Sequence, residues 1–448
     1  MHYILYSCFS SEHSLRPEGQ TNISTGIARN HRLMNIAFVN PEYPSRTGRD
    51  HGGIATYIFT MANTLAALGH RIYVVARQGT VSDTLDERVE VRRFQSEPIH
   101  RLLPLLDRLV DEKIRWERGC SRALRKTLIE IHQEKPLDVV EVPEYNGLAG
   151  ELPPSLPFPI VVHFHTPTAL LDELNGIKPT GKQKKWHIYE AWAVRHAQAY
   201  KCSSESLKER LPALSGVPRE RIEIIRRPIP TRAFDARRKH HDLTADRIDI
   251  LFSGRLERRK GSETILSSIQ DILRLDPRIR VTFAGETQVG ETLSSRTAIE
   301  RAVSPRERHR VSFLGAVKRH ELCTLYCRSS ILLMPSLFDN APYALLEAMA
   351  AKLPVAAADV GGVNEIIRHD HNGLLFMPDS PEELVACLRT LIGSPATAYR
   401  LAAQAYNDIQ NLYAPSTIAR QTLSFYERLR VEVKKKSLKD PLRIRAAS

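Results

Sequence analysis

The sequence predicts an α/β protein whose parallel strands are joined by helices. The main indication is the stretch of residues 330–367, in which an apolar run at 331–334 is followed by a loop, a helix and a second apolar run at 354–358. Apolar runs without polar alternation are typical of parallel strands that are buried on both faces. The length of 448 residues is the second indication, because it is enough for two or three such domains.

Composition and charge narrow the classes of partner. Hydrophobic residues make up 42% of the chain and charged residues 26%, which is typical of a globular protein, and no apolar stretch approaches the roughly 20 residues of a membrane span. The six cysteines show no C-x-x-C spacing, so we interpret them as reduced thiols of a cytoplasmic protein. A net charge of +13 favours a phosphate-rich or polyanionic partner or an anionic membrane surface. We expect no nucleic-acid partner, because no nucleic-acid-binding signature is found.

The first ordered element is expected just after Met34. Residues 1–33 lack periodicity, and we interpret them as a flexible extension or as the product of a misassigned start codon. A strand at 35–39 leads through a polar loop to Gly52 and Gly53, which precede a helix that ends at Gly69 and a strand at 71–76. A glycine pair before a helix lets a ligand approach the backbone closely, although many such pairs are only turns.

Two basic segments, 99–132 and 178–201, each allow two interpretations. The first alternates leucines with arginines and lysines at helical spacing, and the second interleaves Trp186, Tyr189 and Trp192 with basic residues. Both are consistent with helices that pack on a sheet, the second helix ending near Cys202. Both are also consistent with contact to an anionic membrane or acceptor.

Further strands at 137–142 and 159–165 end in E-V-P-E-Y and H-F-H-T-P. Ligands of doubly wound sheets bind beyond the carboxyl ends of the strands, so both motifs are expected at the ligand edge. We exclude a zinc site at His163 and His165, since no third ligand with suitable spacing follows.

The second half repeats this organisation. Strands at 248–252, 280–284 and 311–314 run into S-G-R-L-E-R-R-K-G, Gly285 and Gly315. After the apolar run at 331–334, Asp339 and Asn340 are suited to cap a helix whose free N–H groups favour an anion such as phosphate. Glu347 is a carboxylate on an otherwise apolar helix and needs a partner, which a ribose diol would supply.

The stretch P-S-L-F-D-N-A-P-Y-A-L-L-E-A-M-A, with seven residues between Asp339 and Glu347, resembles the acidic signature of retaining glycosyltransferases of family 4. Asp339 stands where that family more often has glutamate. The resemblance implies the GT-B fold, in which two Rossmann-like doubly wound domains face each other across a cleft. It implies an acceptor-side domain at 34–226, a nucleotide-sugar-binding domain at 227–412, a helix at 413–433 that crosses back, and a basic tail at 434–448 that we expect to be disordered.

The resemblance also implies roles for particular residues. Arg255 and Lys260 are expected to stabilise the departing diphosphate, while Asp339 and His165 orient the sugar. Arg258 and Arg259 match no family position. Glu365 is expected beside the site at a helix start, and the linker at 222–230 has R-R-P-I-P where the family often has an asparagine. The residues expected to bind the donor are Gly52, Gly53, Gly254, Gly285, Gly315, Tyr343, Ala344, Leu345 and Glu347.

The activity implied by the resemblance is transfer of a hexosyl-type sugar from a nucleoside diphosphate sugar to an acceptor hydroxyl, with retention of anomeric configuration and without a cofactor. The sequence contains no Asp-x-Asp pair, the usual metal clamp of the other major glycosyltransferase fold, so we expect a metal-independent enzyme. The acceptor would be a lipid, a polysaccharide or a small metabolite. The protein would be cytoplasmic, with peripheral contact to the inner face of the membrane as an alternative.

Three other functions stay open at this point. A nicotinamide-dependent oxidoreductase would share the doubly wound sheet, but the sequence has no G-x-G-x-x-G between a strand and a helix. A sugar-nucleotide epimerase of the same fold would release free nucleotide without an acceptor. A non-catalytic protein would bind sugar nucleotides or scaffold a membrane.

Overall fold

The computed structural model describes residues 32–40, 52–77, 88–96, 111–235, 242–286 and 295–439. Its first half contains a parallel sheet in the order β3-β2-β1-β4-β5-β6-β7. The strands are β1 Asn35–Asn40, β2 Arg71–Arg77, β3 Val89–Phe94, β4 Val139–Pro143, β5 Ile160–His163, β6 Ala199–Cys202 and β7 Ile222–Ile224. The α-helices described in this half are α1 Gly53–Ala67, α2 Glu112–Glu134, α3 Thr168–Leu174, α4 Gly181–Ala193 and α5 Glu205–Ser215.

The second half contains a parallel sheet in the order β10-β9-β8-β11-β12-β13. Its strands are β8 Ile248–Ser253, β9 Ile279–Ala284, β10 Val311–Phe313, β11 Ile331–Met334, β12 Val355–Ala358 and β13 Leu374–Phe376. Its described α-helices are α6 Arg232–Asp235, α7 Ser262–Leu275, α8 Ser295–Ala302, α9 Arg319–Arg328, α10 Tyr343–Ala350, α11 Pro381–Gly393 and α12 Pro395–Leu412.

Both sheets are doubly wound, which confirms the predicted fold class. The strand order reverses between β1 and β4 in the first sheet and between β8 and β11 in the second. Such reversal points are where ligands of these sheets bind, at the carboxyl ends of the strands. Strands β11 and β12 are buried along their whole length, as their uninterrupted apolar runs predicted.

Two predicted boundaries were wrong. Helix α4 ends at Ala193, well before Cys202, and the chain re-enters the sheet as β6. Lys201 obscured this strand, because lysine is rarely buried, whereas here its Nζ is fully enclosed and lies 2.6 Å from Oε2 of Glu141. The predicted linker at 222–230 begins with β7, which forms the edge of the first sheet.

The last helix, α13 Pro415–Lys439, packs against α1 of the first half. Its Arg430 lies 3.1 Å from Asp138, and its Tyr426 donates a hydrogen bond to Glu141. It continues six residues past the predicted end at 433, into the segment expected to be disordered. Residues 440–448 and 1–31 lie outside the described residues.

The basic segments are folded onto the first sheet wherever the structure describes them. Helix α2 buries a face that includes Cys120, Leu124 and Ile131, and α4 buries Trp186 and Tyr189 while leaving Trp192 38% exposed. Residues 99–110 lie outside the described part, and contact with a membrane surface stays a prediction. None of the described helices combines the length and apolar character needed to cross a membrane.

Candidate active site

Three of the predicted donor-binding glycines lie together where β8, β9 and β10 end. The N–H of Gly285 donates to the carbonyl oxygen of Gly315 at 2.8 Å. A Cβ on Gly285 would lie 2.0 Å from the carbonyl oxygen of Gly254, so the backbones can approach this closely only with glycine. Gly52 and Gly53 belong to the other half, at the start of α1.

Lys260 and Asp339 form a buried ion pair at the reversal point of the second sheet. Nζ of Lys260 lies 2.7 Å from Oδ2 of Asp339, and Nη1 of Arg259 lies 3.4 Å from Oδ1. Burial on its own would raise the pKa of Asp339, but the two cations outweigh it and lower the pKa. Burial lowers the pKa of Lys260, against the influence of Asp339. Asp339 is therefore a carboxylate that positions a cation at this edge.

The cations of this loop differ in exposure. The side chain of Arg255 is 58% exposed, with Nη2 3.6 Å from Oε2 of Glu257, so it extends into solvent. Arg259 is buried, and its Nη2 lies 2.5 Å from Oε1 of the same glutamate. Arg259 thus positions the carboxylates of Glu257 and Asp339 from the buried side of the loop. The sequence did not indicate this role.

The imidazole of His165 is buried and uncharged. Burial, together with His163 and Arg227, lowers its pKa well below the ordinary value. Nη2 of Arg227 lies 3.3 Å from Nδ1 of His165, and a guanidinium can only donate. Nδ1 is therefore the acceptor and the proton is on Nε2. The backbone N–H of His165 donates to Oε1 of Glu144 at 2.9 Å, which holds the residue in place. The ring therefore presents a fixed Nε2–H donor.

A buried polar network lies beneath His165. The ring of His163 is centred 4.1 Å from the ring of His165, and its Nδ1 is 3.0 Å from Oε1 of Glu141. Glu141 also accepts a hydrogen bond from Tyr426, and Lys201 donates to the hydroxyl of Tyr57 at 2.6 Å. The network therefore joins α13 and α1 to the residue expected at the sugar ring. One feature of the sequence pointed to this network, a glutamate at the end of a predicted strand.

Glu347, which was expected to bind a ribose, forms an ion pair with an arginine. Nη2 of Arg319, at the start of α9, lies 2.8 Å from Oε1 of Glu347. Nη1 of the same arginine donates to Oγ1 of Thr56 on α1 at 3.1 Å. Arg319 therefore connects the two halves, and a ribose would have to share Glu347 with it or displace it.

The predicted caps of α10 have a different function. The residue before the helix is Pro342, and Asp339 and Asn340 lie outside it. Nδ2 of Asn340 donates to the carbonyl oxygen of His165 at 2.5 Å, while its Oδ1 accepts from Oγ of Ser204 at 2.6 Å. Asn340 thus joins the two halves beside His165.

Of the three consecutive residues of α10 that were expected to bind the donor, 343–345, the last does not face a ligand. Leu345 is fully buried, and its N–H already donates to the carbonyl oxygen of Pro342 at 3.1 Å. Tyr343 and Ala344 occupy the first turn, and the ring of Tyr343 would lie 3.3 Å from a Cβ on Gly53. The ring of Tyr343 thus lies against the first half, whereas Leu345 supports the helix, and donor binding by Tyr343 and Ala344 stays a prediction.

Glu365 forms a second connection between the halves. Its two carboxylate oxygens accept the first two N–H groups of α5 at 2.8 and 2.9 Å. A carboxylate at a helix N-terminus is favoured by both the free N–H groups and the helix dipole. Glu365 therefore holds the cleft faces together, beside the site as expected, although the helix start that it serves belongs to the opposite half.

Two family models match consecutive parts of the chain. The model described as Glycosyltransferase Family 4 matches residues 51–233, and the model described as Glycosyl transferases group 1 matches residues 233–408. A glycogen synthase of Mycobacterium tuberculosis is 25% identical over 414 residues, which cover 88% of this chain and 94% of that protein.

Solved structures with the same architecture cover almost the whole chain. The sucrose-phosphate synthase of Thermosynechococcus elongatus matches with a TM-score of 0.70 at 19% identity, covering 89% of this chain and all of that one. The Anabaena protein HepE, solved in complex with UDP and glucose, matches with a TM-score of 0.63 at 17% identity, covering 88% and 100%. At these identities the likeness establishes the GT-B fold.

Proposed function

The chain belongs to the family 4 glycosyltransferases with the GT-B fold, and from this membership we propose that it transfers a hexosyl-type sugar from a nucleoside diphosphate donor to an acceptor hydroxyl, retaining the anomeric configuration and using no metal ion or cofactor. The observation that carries the proposal is the Lys260–Asp339 pair at the reversal point of the second sheet. The names of relatives and the UDP and glucose bound to HepE support a sugar-nucleotide donor.

The cations after β8 would stabilise the leaving group. Cleavage of the glycosidic bond adds negative charge to the diphosphate, and positive groups that are already oriented lower the barrier most effectively. Lys260 is held in place by Asp339, while the exposed Arg255 is free to fold over the diphosphate with its planar fork. These side chains would supply the charge that a metal ion supplies in other transferases.

His165 and Asp339 would orient the sugar. His165 presents Nε2–H as a neutral hydrogen-bond donor, which suits a sugar hydroxyl and requires no proton transfer. One side of the Asp339 carboxylate is bound to Lys260, so this residue would link the sugar's position to that of the diphosphate.

Retention is proposed to follow from attack on the same face. The acceptor oxygen forms a bond to the anomeric carbon as the bond to the diphosphate oxygen breaks, and the acceptor proton moves to the departing diphosphate. A covalent intermediate would need a carboxylate nucleophile. Two carboxylates beside His163 and His165 already have partners, Glu141 in Lys201 and Glu144 in the N–H groups of His165 and Thr166.

The test is a donor screen followed by product analysis. UDP-, GDP- and ADP-sugars are incubated with the protein, with chelator, and with and without acceptor extracts. Glycoside formed in the presence of chelator, with the donor's anomeric configuration in its NMR coupling constants, would support the proposal. Release of free nucleotide without any acceptor, together with an epimerised sugar, would instead identify an epimerase, and binding without turnover would identify a binding protein.

A further inference from the structure

Arg227 is a buried cation that forms no ion pair among the described residues, although Asp339 and Glu144 lie close enough to influence its charge. The residue is 8% exposed, and its Nε has no hydrogen-bond partner in the described part of the chain. Its closest polar contact is neutral, the Nδ1 of His165. Burial lowers the pKa of Arg227, yet a guanidinium stays charged in proteins.

Elements of both halves surround this guanidinium. A Cβ on Gly53, at the start of α1, would lie 3.2 Å from Nη1, and the ring of Tyr343, at the start of α10, is centred 5.5 Å from Cζ. The hydroxyl of Tyr343 is also buried without a partner among the described residues. Buried polar groups nearly always have partners in native structures. Two adjacent groups without one therefore indicate a place for a ligand.

The chemistry of the place specifies an anion. A buried charge is costly unless it is paired, and a neutral hydroxyl would leave Arg227 without an ion pair. The guanidinium fork fits the two oxygens of a carboxylate or phosphate. The N-terminus of α1, a helix of 15 residues without a side-chain cap at Gly52, adds positive potential on the same side.

The anion place adjoins the predicted donor site, because Gly53 and Tyr343 are among the residues expected to bind the donor. The diphosphate cations, Arg255 and Lys260, follow β8, whereas Arg227 is bonded to His165, the residue expected at the sugar ring. We propose that Arg227 binds a carboxylate or phosphate carried by the transferred sugar or by the acceptor. The inference rests on the proposed function and narrows its substrates to anionic ones.

Calorimetric titration of the full chain tests the donor as the source of the anion. The probes are UDP, UDP-glucose and UDP-glucuronate, with GDP, GDP-mannose and GDP-mannuronate as the second series. We expect the wild type to bind one uronate at least about 10-fold more tightly than its neutral counterpart, the scale of one charged hydrogen bond. Arg227→Met should abolish this preference and leave binding of the nucleoside diphosphate within about 2-fold.

A second titration tests the acceptor as the source. Protein saturated with the nucleoside diphosphate is titrated with inorganic phosphate, glycerol 3-phosphate and glycerol. If the acceptor carries the anion, the two phosphates bind and glycerol does not, and Arg227→Met removes their binding. Arg226→Met is the matched control, because Arg226 is exposed beside the ring of Tyr413 and should leave every affinity unchanged.

Thermal unfolding separates binding from a structural role. Arg227→Met removes a buried charge that has no ion pair in the described part of the chain, so its Tm should equal or exceed that of the wild type. Arg227→Lys keeps the charge without the fork, and should weaken the anion preference without abolishing it. The proposal is overturned if the wild type prefers no anionic probe, or if Arg227→Met weakens the binding of UDP or GDP as strongly as the binding of the uronate. It is also overturned if Arg227→Met lowers the Tm sharply while Arg227→Lys keeps the full anion preference. Failure of the wild type to bind any nucleotide would overturn the proposed function itself.

Discussion

The ammonium of Lys260 lies 2.7 Å from a carboxylate oxygen of Asp339, although 78 residues separate the two in the chain. They meet because β8 and β11 are neighbours at the reversal point of the second sheet, so the loops that follow the two strands share one edge. Asp339 restrains the ammonium before any donor binds. The ammonium can then stabilise a developing negative charge with little reorganisation.

Lys260→Ala should lower kcat by at least about 100-fold, because it removes one major charge stabiliser. The affinity for the nucleoside diphosphate should fall less, since Arg255 remains. Steady-state kinetics with the best donor provide the measurement. Arg258→Ala is the control from the same loop, as its exposed side chain pairs with Glu263 and should not affect turnover. Turnover unchanged in Lys260→Ala would remove this lysine from the mechanism.

Arg319→Met should tighten the binding of the nucleoside diphosphate by about 5-fold, the scale of one hydrogen bond that the ribose no longer has to displace. Removing Arg319 also takes away the ion-pair partner of the buried Glu347 carboxylate, so the free energy of unfolding should fall by about 3 kcal/mol. Calorimetry and urea unfolding of the same preparation measure both quantities. Glu347→Gln serves as the comparison and should weaken nucleotide binding. Weaker binding in Arg319→Met would mean that arginine and ribose share the glutamate.

The network beneath His165 should couple stability to turnover. Tyr426→Phe removes a buried hydrogen bond to Glu141 and should cost about 1–2 kcal/mol of unfolding free energy. It should also lower kcat, because Glu141 holds His163 against His165. Tyr406→Phe is a matched control, since this half-buried tyrosine donates a hydrogen bond to Asp235 and does not contact Glu141. Loss of stability with unchanged kcat would show that the network only supports the fold.

Local patterns were enough to predict much of the architecture. The runs at 331–334 and 354–358 became β11 and β12, because apolar residues without alternation can be buried only in a covered parallel strand. The rule that ligands bind beyond the carboxyl ends of the strands predicted that the loops carrying Lys260 and Asp339 both lie at the ligand edge. The sequence distance between them carried no such information.

The remaining features depend on pairings across the fold. Lys201 belongs to the basic run at 178–201. Its burial is explained only by its ion pair with the buried carboxylate of Glu141. Arg258 and Arg259 are adjacent and chemically identical, yet one pairs with Glu263 in solvent and the other lies beneath Asp339. Such differences arise from strand twist and loop direction, which a single sequence does not encode in a local pattern.

Glu144 should make stability fall as the pH rises from 5 to 8. Burial, helped by the nearby Glu190, raises the pKa of this carboxyl from 4.5 to about 7. Since its folded-state pKa exceeds the unfolded one, its contribution is fully present below pH 4.5 and is lost as the pH reaches about 7. The shift corresponds to about 3 kcal/mol of unfolding free energy.

Glu144→Gln cannot titrate, so urea unfolding of the variant and the wild type across this range isolates the effect from all other groups. The difference between the two free energies should change by about 2.5 kcal/mol between pH 5 and pH 8, in favour of the variant at the higher pH. Because Oε1 of Glu144 accepts the N–H groups of His165 and Thr166, the variant should also shift the pH profile of kcat/KM. Parallel stability curves for the two proteins would show that this carboxyl titrates as an ordinary one.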